Sequence, residues 1–295
     1  MKIRRTLLWI PGNNPAMMSN APILQADTIG LDNEDAVQPV DKDASRILIR
    51  RYLQSLPANH KVEYAVRIND VTTPYWRDDL TEIVPGHPDA LIIPKVERPG
   101  DLEMVHEVVS EIEEKMGFEH GKIAFMPILE TALGIENAFL IGQAKLDGRM
   151  DTMMMGGEDL VTSLGAIRTK GSQEIDYARK RLVVACRACN MNAIDTVYPD
   201  VEDMEGMVED TRYVRQLGYT GRAVISPRHV APVNEIFSPS EKDILYAQEV
   251  LEAYEEGRKH GKGAVSLHGK MIDAPMIPRA LQVLAFTKAI RGEEE

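Results

Sequence analysis

The sequence predicts an α/β chain folded as a closed (β/α)8 TIM barrel with a C-terminal helical extension, and three observations carry that expectation. Eight short runs of β-branched and apolar residues alternate with longer amphipathic stretches. The runs are continuous in apolar character, as in parallel strands buried on both faces. No G-x-G-x-x-G follows the first run and no Walker A motif occurs, so the doubly wound alternative lacks its nucleotide-binding signatures.

The runs fall at residues 7–10, 28–31, 64–68, 90–94, 123–129, 152–155, 193–197 and 223–225. Between them, residues 41–56 place Ala44, Ile47, Leu48, Tyr52 and Leu56 on one helical face. Residues 99–116 do the same with Leu102, Val105, Val109, Ile112 and Met116, behind Pro99 at the helix start. Residues 177–190 have helical spacing and carry both cysteines, Cys186 and Cys189. No second cysteine pair completes a tetrahedral zinc site, so these two read as small apolar residues on a helix. Residues 203–217 stop at Gly218, a residue suited to a left-handed cap. Ser240-x-x-Asp243 is a capping box ahead of a helix through Arg258.

Residues 259–263 break the alternation. The expected organisation is a catalytic barrel over residues 1–258 and an extension over 259–295, ending in a helix at about 275–290 and a short acidic run at 293–295. A tail of this kind packs on its own barrel or on a neighbouring subunit.

Thirty-four Lys and Arg against 46 Asp and Glu leave a net charge of −12 over 295 residues. That argues against broad affinity for nucleic acid or an anionic membrane. No apolar run reaches the ~18 residues of a membrane span. The basic then apolar start, residues 2–12, is too short for a signal peptide and reads as the first strand, so the expected location is the cytoplasm. Arg4, Arg5 and Lys42 are basic groups near the first two strands, read as surface charge or as contacts for phosphates.

In such a barrel, chemistry collects at the C-terminal strand ends. The residues that follow the runs are Asp32-Asn33-Glu34-Asp35, Arg67-Ile68-Asn69, Lys95 and Glu97, Glu130-Thr131, Gly156-Gly157-Glu158-Asp159, then Asp195 and Tyr198. This is a ring of carboxylates with one arginine and one lysine. Ligands rich in oxygen and poor in sulfur favour a hard cation such as Mg²⁺, with Glu130 and Asp159 as the candidate metal ligands. The two glycines before Glu158 would let backbone approach a ligand. Arg67 must be paired or face the mouth, and its planar fork suits a substrate carboxylate. His106 reads as a surface residue on a helix face.

These residues also resemble the citrate lyase β-subunit family, within the pyruvate-aldolase-like HpcH/HpaI and citrate lyase group. The resemblance spans nearly the whole chain. Arg5-Thr6-Leu7-Leu8-Trp9-Ile10-Pro11-Gly12 is similar to R-S-x-L-F-V-P-G, and Asp32-Asn33-Glu34-Asp35-Ala36-Val37 to D-L-E-D-A-V. Val66-Arg67-Ile68-Asn69, Pro94-Lys95-Val96-Glu97, Gly157-Glu158-Asp159-Leu160 and Asp195-Thr196-Val197-Tyr198 match further motifs in order. In the tail, Val265-Ser266-Leu267-His268-Gly269-Lys270-Met271-Ile272-Asp273 is similar to V-S-L-N-G-K-M-V-D. Asn33 stands where leucine is usual, and as a polar group near the mouth it is expected to alter substrate choice. Gly157 stands where alanine is common.

The resemblance implies magnesium on Glu130 and Asp159, with Glu130 also touching substrate, and Arg67 binding substrate. Glu34 and Asp35 would line the same site, and Asp273 would reach the active site of a neighbouring subunit. The implied reaction is cleavage of citryl-ACP or citryl-CoA to oxaloacetate and an acetyl thioester. The alternatives are a malyl-CoA or citramalyl-CoA lyase, or an acyl-CoA thioesterase on the same barrel. The implied partners are an acyl-CoA or acyl-carrier-protein thioester, a homo-oligomer (trimer or hexamer), and transferase and acyl carrier protein subunits.

Overall fold

The computed structural model describes residues 2–261 and 263–292; the acidic run at 293–295 and Lys262 of the break lie outside them. Eight parallel strands close into a barrel in sequence order, with β8 hydrogen-bonded back to β1. They are β1 Thr6–Pro11, β2 Thr28–Asp32, β3 Glu63–Arg67, β4 Ala90–Ile93, β5 Ala124–Leu129, β6 Thr152–Met155, β7 Asn192–Asp195 and β8 Gly221–Val224. The helices among them are α1 Pro15–Asn20, α2 Lys42–Ser55, α3 Trp76–Ile83, α4 Pro99–Met116, α5 Ala132–Glu136, α6 Ala138–Ile141, α7 Gly157–Leu164, α8 Asp176–Ala188, α9 Met204–Leu217 and α10 Pro227–Phe237. Side chains fill the barrel, and Leu7, Ala65, Ile92, Met126, Met154 and Ile194 belong to one inner cluster.

The expected caps form. Gly218 ends α9 at φ 108, and Asp203 accepts from Gly206 N–H at its start. Cys186 is buried on α8 and both thiols are free. Burial pushes the Cys186 thiol up to about 12, so it stays protonated at neutral pH.

Two helix faces differ from expectation. On α2 the buried residues are Lys42, Ser45, Arg46, Ile49 and Leu53, while Ile47 is 42% exposed. The helix is turned from its apolar stripe because Lys42 and Arg46 find buried polar partners. On α4, Glu113 is buried and Met116 is exposed, because Glu113 pairs with the buried Arg149 at 2.5 Å.

The chain divides into two compact units, one of them Arg4–Glu235 and the other made of the residues before Arg4 and those from Ile236 onward. The second unit holds α11 Glu241–Lys259, started by the Ser240/Asp243 capping box, and α12 Met276–Arg291. Between them β9 Ala264–Leu267 and β10 Lys270–Asp273 form an antiparallel hairpin. Its turn, His268-Gly269, has φ 48 and φ 75, the two positive values of a type I′ turn. Ala247, Val250, Ile272 and Ala280 form this unit's core.

Candidate active site

The period of two along a strand builds the site. Leu7, Ala65, Ile128 and Met154 face the barrel core. Two residues further on stand Trp9, Arg67, Glu130 and Gly156, one rung higher, where the core opens into a cavity of about 540 Å³. On β2 the core rung is Gly30, where a Cβ would lie 2.9 Å from Leu7 and 2.7 Å from Trp9. Asp32 is the rung above it and lines the same cavity.

Arg67 is the hub. Its Nε and Nη2 donate to Asp32 Oδ1 and Oδ2 at 2.8 and 2.6 Å, a bidentate pair. Its Nη1 lies 3.0 Å from Glu34 Oε2 and 3.5 Å from Asp35 Oδ2. The Glu34 contact is an ion pair without hydrogen-bond alignment, so that buried oxygen has no hydrogen-bond partner. The guanidinium sits 4.8 Å above the Trp9 ring.

Lys95 is the second cation. Its Nζ is 2.6 Å from Glu34 Oε1 and 3.6 Å from Asp159 Oδ2. Its backbone N–H donates to Glu130 Oε1 at 2.9 Å. Lys95 holds φ 52, a left-handed conformation costly for a residue with a Cβ, and that conformation goes with the amide bond to Glu130.

The carboxylates outnumber these cations. Asp32, Glu34, Asp35, Glu130 and Asp159 face Arg67 and Lys95, or 2 − 5 = −3 if all are ionised. Burial, then the charges of Glu34 and Asp159, push Glu130 up to about 8. Glu34 is also raised, first by burial, despite Arg67 and Lys95 beside it. Burial disfavours the charge on Arg67, but Asp32, Glu34 and Asp35 outweigh it and hold the guanidinium ionised.

The residues fit a hard divalent cation. The donors are all oxygens, and Glu130, pushed up to about 8, holds a proton that a dication would displace. Glu130 and Asp159 supply two carboxylates, the number magnesium usually takes while keeping waters or substrate oxygens. Asp159 stands in the first turn of α7, half exposed, and does not cap that helix; Gly156 is the N-cap.

Arg67, Glu34, Asp35, Glu130 and Asp159 are thus brought together. Asp273 ends β10 in the second unit. Other expectations need correction or addition. The glycines of 156–157 line the cavity, and protein neighbours also exclude a side chain at either position. A Cβ at Gly156 would overlap the Glu130 carboxylate, and one at Gly157 would lie 2.8 Å from Thr196. Asn33 is fully buried and donates to Asp79 at 2.9 Å, so it turns away from the mouth. Asp195 points outward to Arg179 and Arg222, and the Tyr198 hydroxyl donates to Asp203. Glu158 pairs with Arg168 at 3.0 Å. Arg4 and Arg5 are bound to Glu63, Asp151 and Asp27 before β1, and Lys42 Nζ donates to backbone carbonyls. All three are thus held by protein partners.

Lys95 joins the carboxylate cluster through Glu34 and Asp159, a placement that strand-end position alone did not separate from Glu97. His106 is half-buried and forms, with His120 and Asp147, the one group of three or more His, Cys, Asp or Glu with metal-ligand spacing among the described residues. Arg149 Nε donates to His106 Nδ1 at 3.0 Å, which leaves the ring's proton on Nε2. That tautomer suits a hydrogen bond toward Asp147 rather than a metal.

The family model for HpcH/HpaI aldolase/citrate lyase matches residues 5–227. A citrate lyase subunit beta of Leuconostoc mesenteroides subsp. cremoris is 36% identical over 98% of this chain and 94% of its own length. A mitochondrial citramalyl-CoA lyase of Rattus norvegicus is 32% identical over 98% of this chain and 87% of its own. Among solved structures, protein CitE of Mycobacterium tuberculosis, in complex with magnesium, acetoacetate and coenzyme A, superposes with a TM-score of 0.77 at 26% identity, covering 97% of this chain and 98% of that one.

Proposed function

The chain belongs to the HpcH/HpaI aldolase/citrate lyase family, and on that premise we propose that it is a magnesium-dependent carbon–carbon lyase that cleaves a citryl thioester to oxaloacetate and an acetyl thioester. The observation that carries this reading is the excess of carboxylate around the buried Glu130, whose pKa of about 8 marks a place that favours positive charge. Glu130 and Asp159 would hold the ion. Magnesium, when bound, supplies Lewis acidity to the substrate's tertiary hydroxyl and adjacent carboxylate, lowering the hydroxyl pKa.

The side chains do the rest. Arg67, fixed by Asp32 and Trp9, lines the cavity, where it would take a substrate carboxylate. Glu34, with Asp35 beside it, takes the hydroxyl proton; its raised pKa suits a general base. The bond between the carbinol carbon and the thioester's methylene breaks, and its electron pair passes to the methylene as the thioester enolate. Asp273 of a neighbouring copy returns a proton to that carbon. Glu34 gains one proton and Asp273 loses one, so the step balances. The homo-oligomer, trimer or hexamer, and its association with transferase and acyl carrier protein subunits belong to the same proposal.

A second reading is a citramalyl-thioester lyase. Ile128, Met154 and Ile225 give the cavity an apolar wall, which favours a methyl group where citryl carries a carboxymethyl. Citryl-, citramalyl- and malyl-CoA, assayed in parallel with and without EDTA, separate the readings. The expected result is oxaloacetate from citryl-CoA, abolished by EDTA and restored by Mg²⁺. Pyruvate from citramalyl-CoA as the main product supports the second reading. Free thiol with an intact acyl chain identifies a thioesterase. Full activity in EDTA rejects the metal.

A further inference from the structure

Behind the mouth, on the side away from the cavity, lies a second polar cluster that the chemistry above does not use. Asp79 on α3 is fully buried, yet makes four bonds. Its Oδ1 accepts from Arg46 Nε at 2.6 Å and from Asn33 Nδ2 at 2.9 Å. Its Oδ2 accepts from Asn69 N and Asn69 Nδ2, both at 2.7 Å. Lys42 on α2, buried apart from 5% of its surface, donates to the carbonyls of Asn33 at 3.0 Å and Glu34 at 3.1 Å. Asn69 Nδ2 adds a bond to the Asn33 carbonyl at 3.1 Å.

These bonds converge on two short segments. Asn33-Glu34 follows β2, and Asn69 follows Arg67 by two residues after β3. The peptide groups of Glu34 are gripped on both sides. Its N–H donates to Asp32 Oδ1 at 2.8 Å, on the cavity side, and its carbonyl accepts from Lys42, on the far side. A carboxylate that moves a proton must be held to within a fraction of an ångström, and bonds to the backbone that carries it are how a fold does so. Asn33 Oδ1 is buried with no partner. Such a group is destabilising, and the cluster carries it while its amide binds Asp79. Two apolar helix faces would pack α2 against α3 without that cost. The cluster's bonds go instead to the backbone beside Glu34 and Arg67.

We propose that Asp79 and Lys42 are positioning residues, a clamp that fixes the Asn33–Glu34 and Asn69 segments and thereby sets Glu34 and Arg67 in register across the mouth. The proposal rests on the reading of Glu34 and Arg67 as reacting groups, so its test needs a readout independent of turnover. Hydrogen exchange of the metal-free protein supplies it. In Asp79→Asn and in Lys42→Met, amides at 33–36 and 69 should exchange at least tenfold faster, while those of β5 and β6 keep their wild-type rates.

Steady-state kinetics on citryl-CoA should then show kcat lowered about 10–100-fold, the scale seen when a group supporting a catalytic ligand is lost, with KM changed less than about threefold. Asp147→Asn, at the opposite end of the barrel, serves as the control and should leave both parameters unchanged. Faster exchange throughout the barrel would mean that the cluster only stabilises the fold, and would overturn the proposal. So would unchanged exchange at 33–36. If Asp79→Asn does not fold, Lys42→Met alone decides. If no thioester is cleaved by the wild type, the functional reading fails while the exchange data still judge the clamp.

Discussion

Two clusters of the same residue types stand a few strands apart and behave in opposite ways. Between β7–β8 and the helices outside them, Arg179 and Arg222 meet Asp195 and Asp210, two cations with two anions. Asp210 is held below the usual carboxylate range by both arginines, which outweigh its burial. In the mouth, five carboxylates meet two cations, and Glu34 and Glu130 are raised. A buried cluster that balances its own charge holds the fold together. One that does not must be completed from outside, and that imbalance marks the functional end of the barrel.

The largest effect that would sharpen this contrast is on activity. Glu130→Gln or Asp159→Asn should lower metal-dependent cleavage about a thousandfold or more, since Lewis-acid stabilisation is worth several kcal/mol. Both variants should melt within a few degrees of the wild type. Thioester cleavage and calorimetry on the same preparations check it, and near-normal turnover in either variant breaks the comparison.

Next comes the balanced cluster. Asp195→Asn leaves Arg179 and Arg222 short of one anion in a fully buried place. Losing one partner of such a pair costs about 3–5 kcal/mol. Denaturant titration should show that loss, while activity per folded molecule stays near wild type because Asp195 does not line the cavity. A variant that is stable but inactive would place this cluster in the mechanism.

A smaller effect follows from Glu130. Its folded pKa of about 8 lies above the ordinary carboxylate value, so in EDTA the folded chain keeps a proton that the unfolded chain releases. That stabilisation is fully present below about pH 4.3 and is lost as pH rises through about 8, on the order of a few kcal/mol in all. The slope should become clearly shallower in Glu130→Gln and when Mg²⁺ is added, leaving the part owed to the raised Glu34. The apparent Mg²⁺ affinity should rise about tenfold per pH unit between roughly 6 and 8, with one proton released per ion. Calorimetry in buffers of different ionisation enthalpy measures that proton.

The barrel was legible because parallel strands buried on both faces are apolar throughout, and each expected run overlaps an observed strand. The same uniformity hid which strand-end residue points inward. Glu130 and Arg67 continue inner positions two residues below them, whereas Asp195 follows Ile194 and faces out. Only the closed register separates the two cases. Helix α2 was misread for a related reason. Its buried face carries Lys42, Ser45 and Arg46, and no apolar periodicity announces a polar cluster satisfied by Asp79. Glycines 156 and 157 line the cavity, but the second reason for them, Glu130 and Thr196 standing where a Cβ would go, comes from strands distant in sequence.

The central claim is that Glu130 and Asp159 share one divalent ion. A crystal soaked in Mn²⁺ as a magnesium stand-in, with oxaloacetate, and measured at a wavelength where manganese scatters anomalously tests it most directly. The account predicts one strong anomalous peak between those two carboxylates, with oxaloacetate oxygens completing its coordination. A mouth without a peak, or a peak only at His106, His120 and Asp147, would contradict it.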